Sequence, residues 1–184
     1  SSEVFRYGFV TYANEAKEKL LGVSAHTLNT EGAVSPETAA QMALGALRAA
    51  DADVAVALTG IAGPGGGTPE KPVGLVWGAA ATREGVWVRK MTLGRRDRDN
   101  IRRRASQHAL DMVRRLAAGL SAPEDTTAYT IEQVEESRAI VQKYIPHLIS
   151  HLLEEQKPYG VCYNINAPVG ALEGVRWTRQ CRGF

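Results

Sequence analysis

The chain has 184 residues, 44% hydrophobic and 23% charged, with a formal net charge of +2. This length suggests one domain with an appendage, and the composition is that of a globular protein able to form a core. The formal net charge says little about partners. No apolar run approaches the roughly 18 residues of a membrane helix, so no membrane partner is expected.

The first residues, SSEVFRYGF, have neither a basic leader nor a long apolar stretch, so no signal peptide is read there. The missing initiator Met and the ending RQCRGF make both ends look like cuts. Cys162 and Cys181 have no metal or redox spacing, and reduced thiols in a cytoplasmic protein are expected.

In chain order, VFRYGFVTY (Val4 to Tyr12) is β-branched and aromatic and predicts a strand. NEAKEKLLG predicts a helix with Asn14 as N-cap and Gly22 as its stop. SPETAAQMALGALRAA is a helix capped by Ser35, with Pro36 in its first position and Glu37 facing the helix dipole. DVAVALT predicts a short, central strand. VGLVWGAAAT and GVWVRKMTL predict a hairpin around Arg83, Glu84 and Gly85. DRDNIRRRASQHALDMVRRLAAGL predicts an amphipathic helix, with Ile101, Ala105, Ala109, Met112 and Leu116 on one face.

These elements predict a layered α/β/α sandwich with a mixed sheet over residues 1–120. SAPEDTTAYT (121–130) reads as a polar linker. Residues 131–184 form an appendage of one helix, roughly Ile131 to Glu155 and interrupted by Pro146, and two strand-like pieces, YGVCYNIN and GVRWTRQC.

Two stretches suggest chemistry. TGIAGPGGGTPEKPVG (Thr59 to Gly74) carries six glycines and three prolines directly after an apolar strand. Glycine opens positive φ and lets a ligand approach the main chain, while proline stiffens the loop. It has neither the GK[ST] ending of a P-loop nor a G-x-G-x-x-G register, and a plain surface turn between strands stays open. In TYANEAK, Tyr12 ends a strand and Lys17 lies in the first turns of a helix. A desolvated lysine can act as a base and a tyrosine can relay a proton, and a solvated helix end is the alternative. His147 and His151 have zinc-compatible spacing but lack the glutamate of zinc proteases, so no metal is assigned.

VTYANEAKEKLLGVS, EGAVSPETAAQMALGAL, ADVAVALTGIAGPGGGTPEKPVGLVWGAAA and DRDNIRRRASQHAL together resemble the C-terminal domain of the competence/damage-inducible CinA proteins, the nicotinamide-nucleotide amidase (PncC) family, over residues 1–120. The resemblance implies deamidation of nicotinamide mononucleotide to nicotinic acid mononucleotide and ammonia, a step of the pyridine nucleotide cycle. It implies no metal and no cofactor. A serine nucleophile would be activated by Lys17 with Tyr12 nearby. Substrate would be held by Thr59 and by the loop Gly60, Gly63, Gly65, Gly66 and Gly67. Arg98 or Arg102, in the family element that reads RDRDNIR here, would meet the phosphate, which suits the bidentate geometry of arginine. The partner is thus a small-molecule nucleotide. The basic stretch Arg89 to Arg104 has no interleaved aromatics, so it reads as a solvated helix face and no nucleic acid is expected.

In the family the serine lies in an S-x-T-G-G motif upstream of the first strand. On that pattern this chain lacks it, and impaired turnover is expected. PYGVCYNINAPVGALEGVRWTRQCRGF is similar to the C-terminal segment of SurE nucleotidases, whose strands build oligomers. This implies a homo-oligomer and a possible chimera. A non-catalytic scaffold and, from the tail alone, a nucleotide phosphatase are the alternatives.

Overall fold

A computed structural model describes residues 4–138. The elements are α1 (Asn14–Leu21), α2 (Ala25–Thr30), α3 (Pro36–Ala49), β1 (Ala55–Gly60), β2 (Leu75–Ala81), β3 (Val86–Thr92), α4 (Arg98–Ala117) and β4 (Thr126–Tyr129). Residues 131–138 are also helical. No helix among the described residues is long and apolar enough to cross a membrane.

The strands form one sheet in the order β1-β2-β3-β4. β1 pairs with β2 from Ala55↔Ala81 to Gly60↔Val76, β2 with β3 from Leu75↔Thr92 to Ala81↔Val86, and β3 with β4 from Val86↔Tyr129 to Arg89↔Thr126. α3 lies on one face. Its Ala39, Ala43, Leu44 and Leu47 pack with Ala57, Ala79, Ala81, Val86 and Val88. α4 lies on the other face, where Ile101 and Ala105 meet Val76 and Met91. Alternation along each strand sends successive side chains to opposite faces, which gives the α/β/α layering.

The caps follow the sequence. The Ser35 hydroxyl accepts from the Thr38 N–H at 3.1 Å, and Pro36 takes the first turn of α3. Gly22, at φ 63°, closes α1 in the left-handed region. The hairpin forms around Arg83, Glu84 and Gly85, where the Thr82 N–H donates to the Gly85 carbonyl at 2.9 Å.

Several expectations are corrected. The expected mixed sheet is antiparallel at all three pairings among the described strands. Val4 to Tyr12, expected as a strand, is not one. Its Val4, Phe5, Tyr7, Val10 and Tyr12 are exposed, because β propensity supplies side chains that suit a sheet but no partner strand. β1, expected to be central, is consequently an edge strand among those described. Asn14 is the first helical residue, and Ala13 takes the cap position without a side-chain bond. α2 was not predicted; Ser24 caps it through the Thr27 N–H at 3.1 Å.

The stretch expected as a polar linker contains β4, whose Thr-Thr-Ala-Tyr favours a strand once β3 offers an edge. The following helical residues pack back on the domain. Val134 joins the α3 core, and Gln41 Nε2 donates to the Ser137 hydroxyl at 3.0 Å. The rest of the expected helix, His147, His151, both cysteines and the SurE-like strands lie outside the described residues.

Candidate active site

Lys17 is the only lysine among the buried polar residues of the described chain, at 5% exposure. The i+3 and i+4 geometry of α1 turns it inward with Leu21, while Lys19 stays outside and pairs with Glu15. Its Nζ donates to the main-chain carbonyls of Thr11 at 2.8 Å and Tyr12 at 3.1 Å. Desolvation by burial pushes its pKa below the usual lysine value. The two carbonyls orient the amine and favour its charged form, while burial opposes that form. The result is an amine closer to a usable base than a surface lysine.

Tyr12 meets this lysine through its main chain. Its side chain is 91% exposed, so the phenol expected beside the amine is turned to solvent. The reason is again the unpaired segment, which leaves alternate side chains without a surface to cover them.

The glycine loop begins where β1 ends. The Ile61 N–H donates to the Leu75 carbonyl at 2.9 Å and the Gly74 N–H to the Ile61 carbonyl at 2.8 Å, which pinches the base of the loop shut. Gly63 and Gly66 have φ of 76° and 84°, where a side chain would be strained. A Cβ on Gly67 would lie 2.8 Å from the Val73 nitrogen, so the two arms touch through main chain.

Three contacts tie this loop to its surroundings. The buried Thr59 hydroxyl donates to the Ala33 carbonyl in the turn before α3. Lys71 Nζ donates to the Glu31 carbonyl. Arg98 Nη1 donates to the Gly63 carbonyl at 3.0 Å from the first turn of α4. Arg102 instead makes a loose 3.9 Å ion pair with Asp99 and has no bond to the loop.

The arrangement thus joins Arg98 to Gly63 and Thr59 to the α3 entry. Among the described residues no hydrogen bond joins Lys17 to the loop. Sequence reasoning missed Lys71 and the Ala33 carbonyl, because neither belongs to a residue type or spacing that signals a ligand. Beside the α3 entry, burial raises the Glu37 carboxyl above its usual value, with Glu31 adding to the shift and Lys71 opposing it.

This geometry has close relatives. Residues 1–117 match the CinA C-terminal domain. A putative competence-damage inducible protein of Caldanaerobacter subterraneus subsp. tengcongensis is 55% identical over 119 residues, 65% of this chain and 29% of that protein. The nicotinamide-nucleotide amidohydrolase PncC of Escherichia coli K12 is 52% identical over 113 residues, 61% of this chain and 68% of that protein. The chain therefore spans about three tenths of the longer relatives and about two thirds of the shorter one. Among solved structures, a competence/damage inducible protein from Agrobacterium tumefaciens aligns at TM-score 0.59 and 52% identity, covering 60% of this chain and 67% of that one. A CinA-superfamily protein from Escherichia coli aligns at 0.56 and 39%, covering 59% and 63%. The SurE-like likeness of the tail gains no support from these relatives. With the match running through α1, the glycine loop and α4, the chain belongs to the CinA C-terminal domain family.

Proposed function

We propose that this chain provides the substrate-binding and proton-transfer groups of a nicotinamide-nucleotide amidase. The reaction breaks the carboxamide C–N bond of nicotinamide mononucleotide with water and yields the carboxylate and ammonia. The buried Lys17 amine carries this reading. It takes the proton of the attacking nucleophile, a serine hydroxyl on the family pattern, and returns one to the departing nitrogen, after which water releases the acyl group as the carboxylate. The kinship with the E. coli nicotinamide-nucleotide amidohydrolase supports the choice of substrate.

The Thr59 hydroxyl spends its proton on Ala33, so its oxygen remains an acceptor for a substrate amide or hydroxyl. Gly65 presents main chain without side-chain cover, since a Cβ there would meet nothing within 4 Å. Arg98 uses one donor on Gly63 and keeps the rest of its guanidinium for the phosphate. Tyr12 acts as relay only when its ring turns inward. The exposed apolar residues of Val4 to Tyr12, and the open edge of β1 among the described strands, support a homo-oligomer.

Ammonia release by the intact protein, compared between nicotinamide mononucleotide and nicotinamide riboside, tests the assignment. The mononucleotide is deamidated and the riboside, lacking the phosphate for Arg98, is a poor substrate. Equal release from both overturns it.

A further inference from the structure

α4 covers only part of the sheet face on which it lies. It packs mainly on β1 and β2, and the same face of β3, carrying Arg89 and Met91, opens beside it. The gap is a cavity of about 490 Å3, to which Arg89, Met91, Arg96, Arg104, His108 and Asp125 contribute. Lys90 contributes to its wall, but its amine lies over the Trp77 ring at 5.6 Å. The volume is that of a small-molecule site.

The lining is strongly cationic. Three guanidiniums and an imidazole face one carboxylate, Asp125. Among the described residues none of these three arginines forms an ion pair with a carboxylate. Arg96 Nε is engaged by the Leu93 carbonyl at 3.0 Å. Arg89 Nη1 lies 3.2 Å from His108 Nδ1, which fixes its guanidinium from the α4 side. Among the described residues, Arg89 Nε is buried with no hydrogen-bond partner, and so is the hydroxyl of Thr126, the residue directly opposite Arg89 in the β3–β4 register. Arg89 lines the cavity, and its unpartnered Nε beside the unpaired guanidiniums of Arg96 and Arg104 suits an oxyanion.

We propose that this cavity binds a phosphate-class oxyanion of a small molecule, at a site separate from the glycine loop. Arg98 and Arg104 are six residues apart on α4 and so project about 120° apart around it. Arg98 faces the loop at Gly63, and Arg104 faces the β3 gap. Burial, together with the Arg89 and Arg104 guanidiniums, lowers the His108 pKa against the opposing pull of Asp111, as a surplus of positive field requires.

Calorimetric titration of inorganic pyrophosphate into the intact protein tests the proposal, with sodium chloride at matched ionic strength as the blank. Arg104 is exposed and unpaired among the described residues, so Arg104→Gln leaves the fold intact. The expected result is saturable binding that weakens at least tenfold in Arg104→Gln and stays within twofold in Arg98→Gln. Pyrophosphate binding lost in Arg98→Gln and kept in Arg104→Gln overturns it, because the anion then sits at the loop. No saturable heat beyond the chloride blank overturns it as well.

Discussion

The Lys17 amine donates to the main-chain carbonyl of Thr11 at 2.8 Å, six residues earlier in the chain. One buried side chain thereby fastens the start of α1 to the segment that precedes it. The same contact gives the Lys17 amine a fixed address, since both its position and its desolvation come from the turn of α1.

The lowered Lys17 pKa sets a pH dependence. Only the neutral amine accepts a proton, so kcat/KM for nicotinamide mononucleotide rises with pH and levels off below the ordinary lysine value of 10.5. The folded state binds this proton less tightly than the unfolded state. Lys17 therefore lowers stability most below its folded pKa, and stability recovers as pH rises towards the unfolded value. A pH–rate profile checks the first statement, and a profile that climbs only above the ordinary lysine value contradicts it.

Glu37 gives the opposite case. Its position in the first turn of α3 suits a negative charge, but burial wins and raises its pKa above 4.5. Its Oε2 is buried with no partner among the described residues. A raised folded pKa means stability that is full below the unfolded pKa and lost as pH rises through the folded one. Glu37→Gln should thus raise the thermal midpoint near neutral pH and match the parent at a pH where the parent's Glu37 is protonated in both the folded and the unfolded state. Melting curves at a series of pH values decide this, and an unchanged midpoint near neutrality contradicts it.

Gly45 in the middle of α3 looks like a site for improvement, since alanine is favoured there by about 1 kcal/mol in an isolated helix. In the fold, a Cβ at this position would lie 1.8 Å from the Leu21 carbonyl oxygen at the end of α1. Backbone must move to admit it, and overpacking of this kind costs roughly 1–3 kcal/mol or more. The clash outweighs the propensity. Gly45→Ala is expected to lower the urea midpoint, and a raised midpoint would show that α1 and α3 separate freely.

The two arginines assigned to the phosphate on sequence separate in the structure. Arg98 holds Gly63, whereas Arg102 only reaches Asp99. Arg98→Gln should weaken nicotinamide mononucleotide about tenfold, the scale of one charge-assisted contact. Arg102→Gln should leave affinity within about twofold, as for an exposed ion pair. Titration of both variants measures the difference, and the reverse order assigns the phosphate to Arg102.

Local signals carried much of this fold. Ser35-Pro36-Glu37 marked the start of α3, Gly22 ended α1, and Arg83-Glu84-Gly85 marked the hairpin, because caps and turns are written in adjacent residues. What failed was partner choice. Val4 to Tyr12 has strand composition but no partner strand, and Thr126–Tyr129 hid a strand behind polar neighbours until β3 provided an edge. Lys17 and the glycine loop stood out as candidate chemistry, because residue type and a run of glycines and prolines are visible in adjacent residues. The tie of Lys71 to Glu31 spans forty residues and the pairing of Arg89 with His108 crosses from β3 to α4, and neither leaves a local pattern.

The most direct test of the central claim is ammonia release from nicotinamide mononucleotide by the intact protein carrying Lys17→Met, measured beside calorimetric affinity for the same nucleotide. Methionine fills the buried channel without a titratable amine. The account predicts a rate lower by about 10²–10⁴-fold, the range of a lost general base, with affinity within a few-fold of the parent. A Lys17→Met protein that releases ammonia at the parental rate would contradict it, and Lys17 would then be a structural tie between α1 and Thr11.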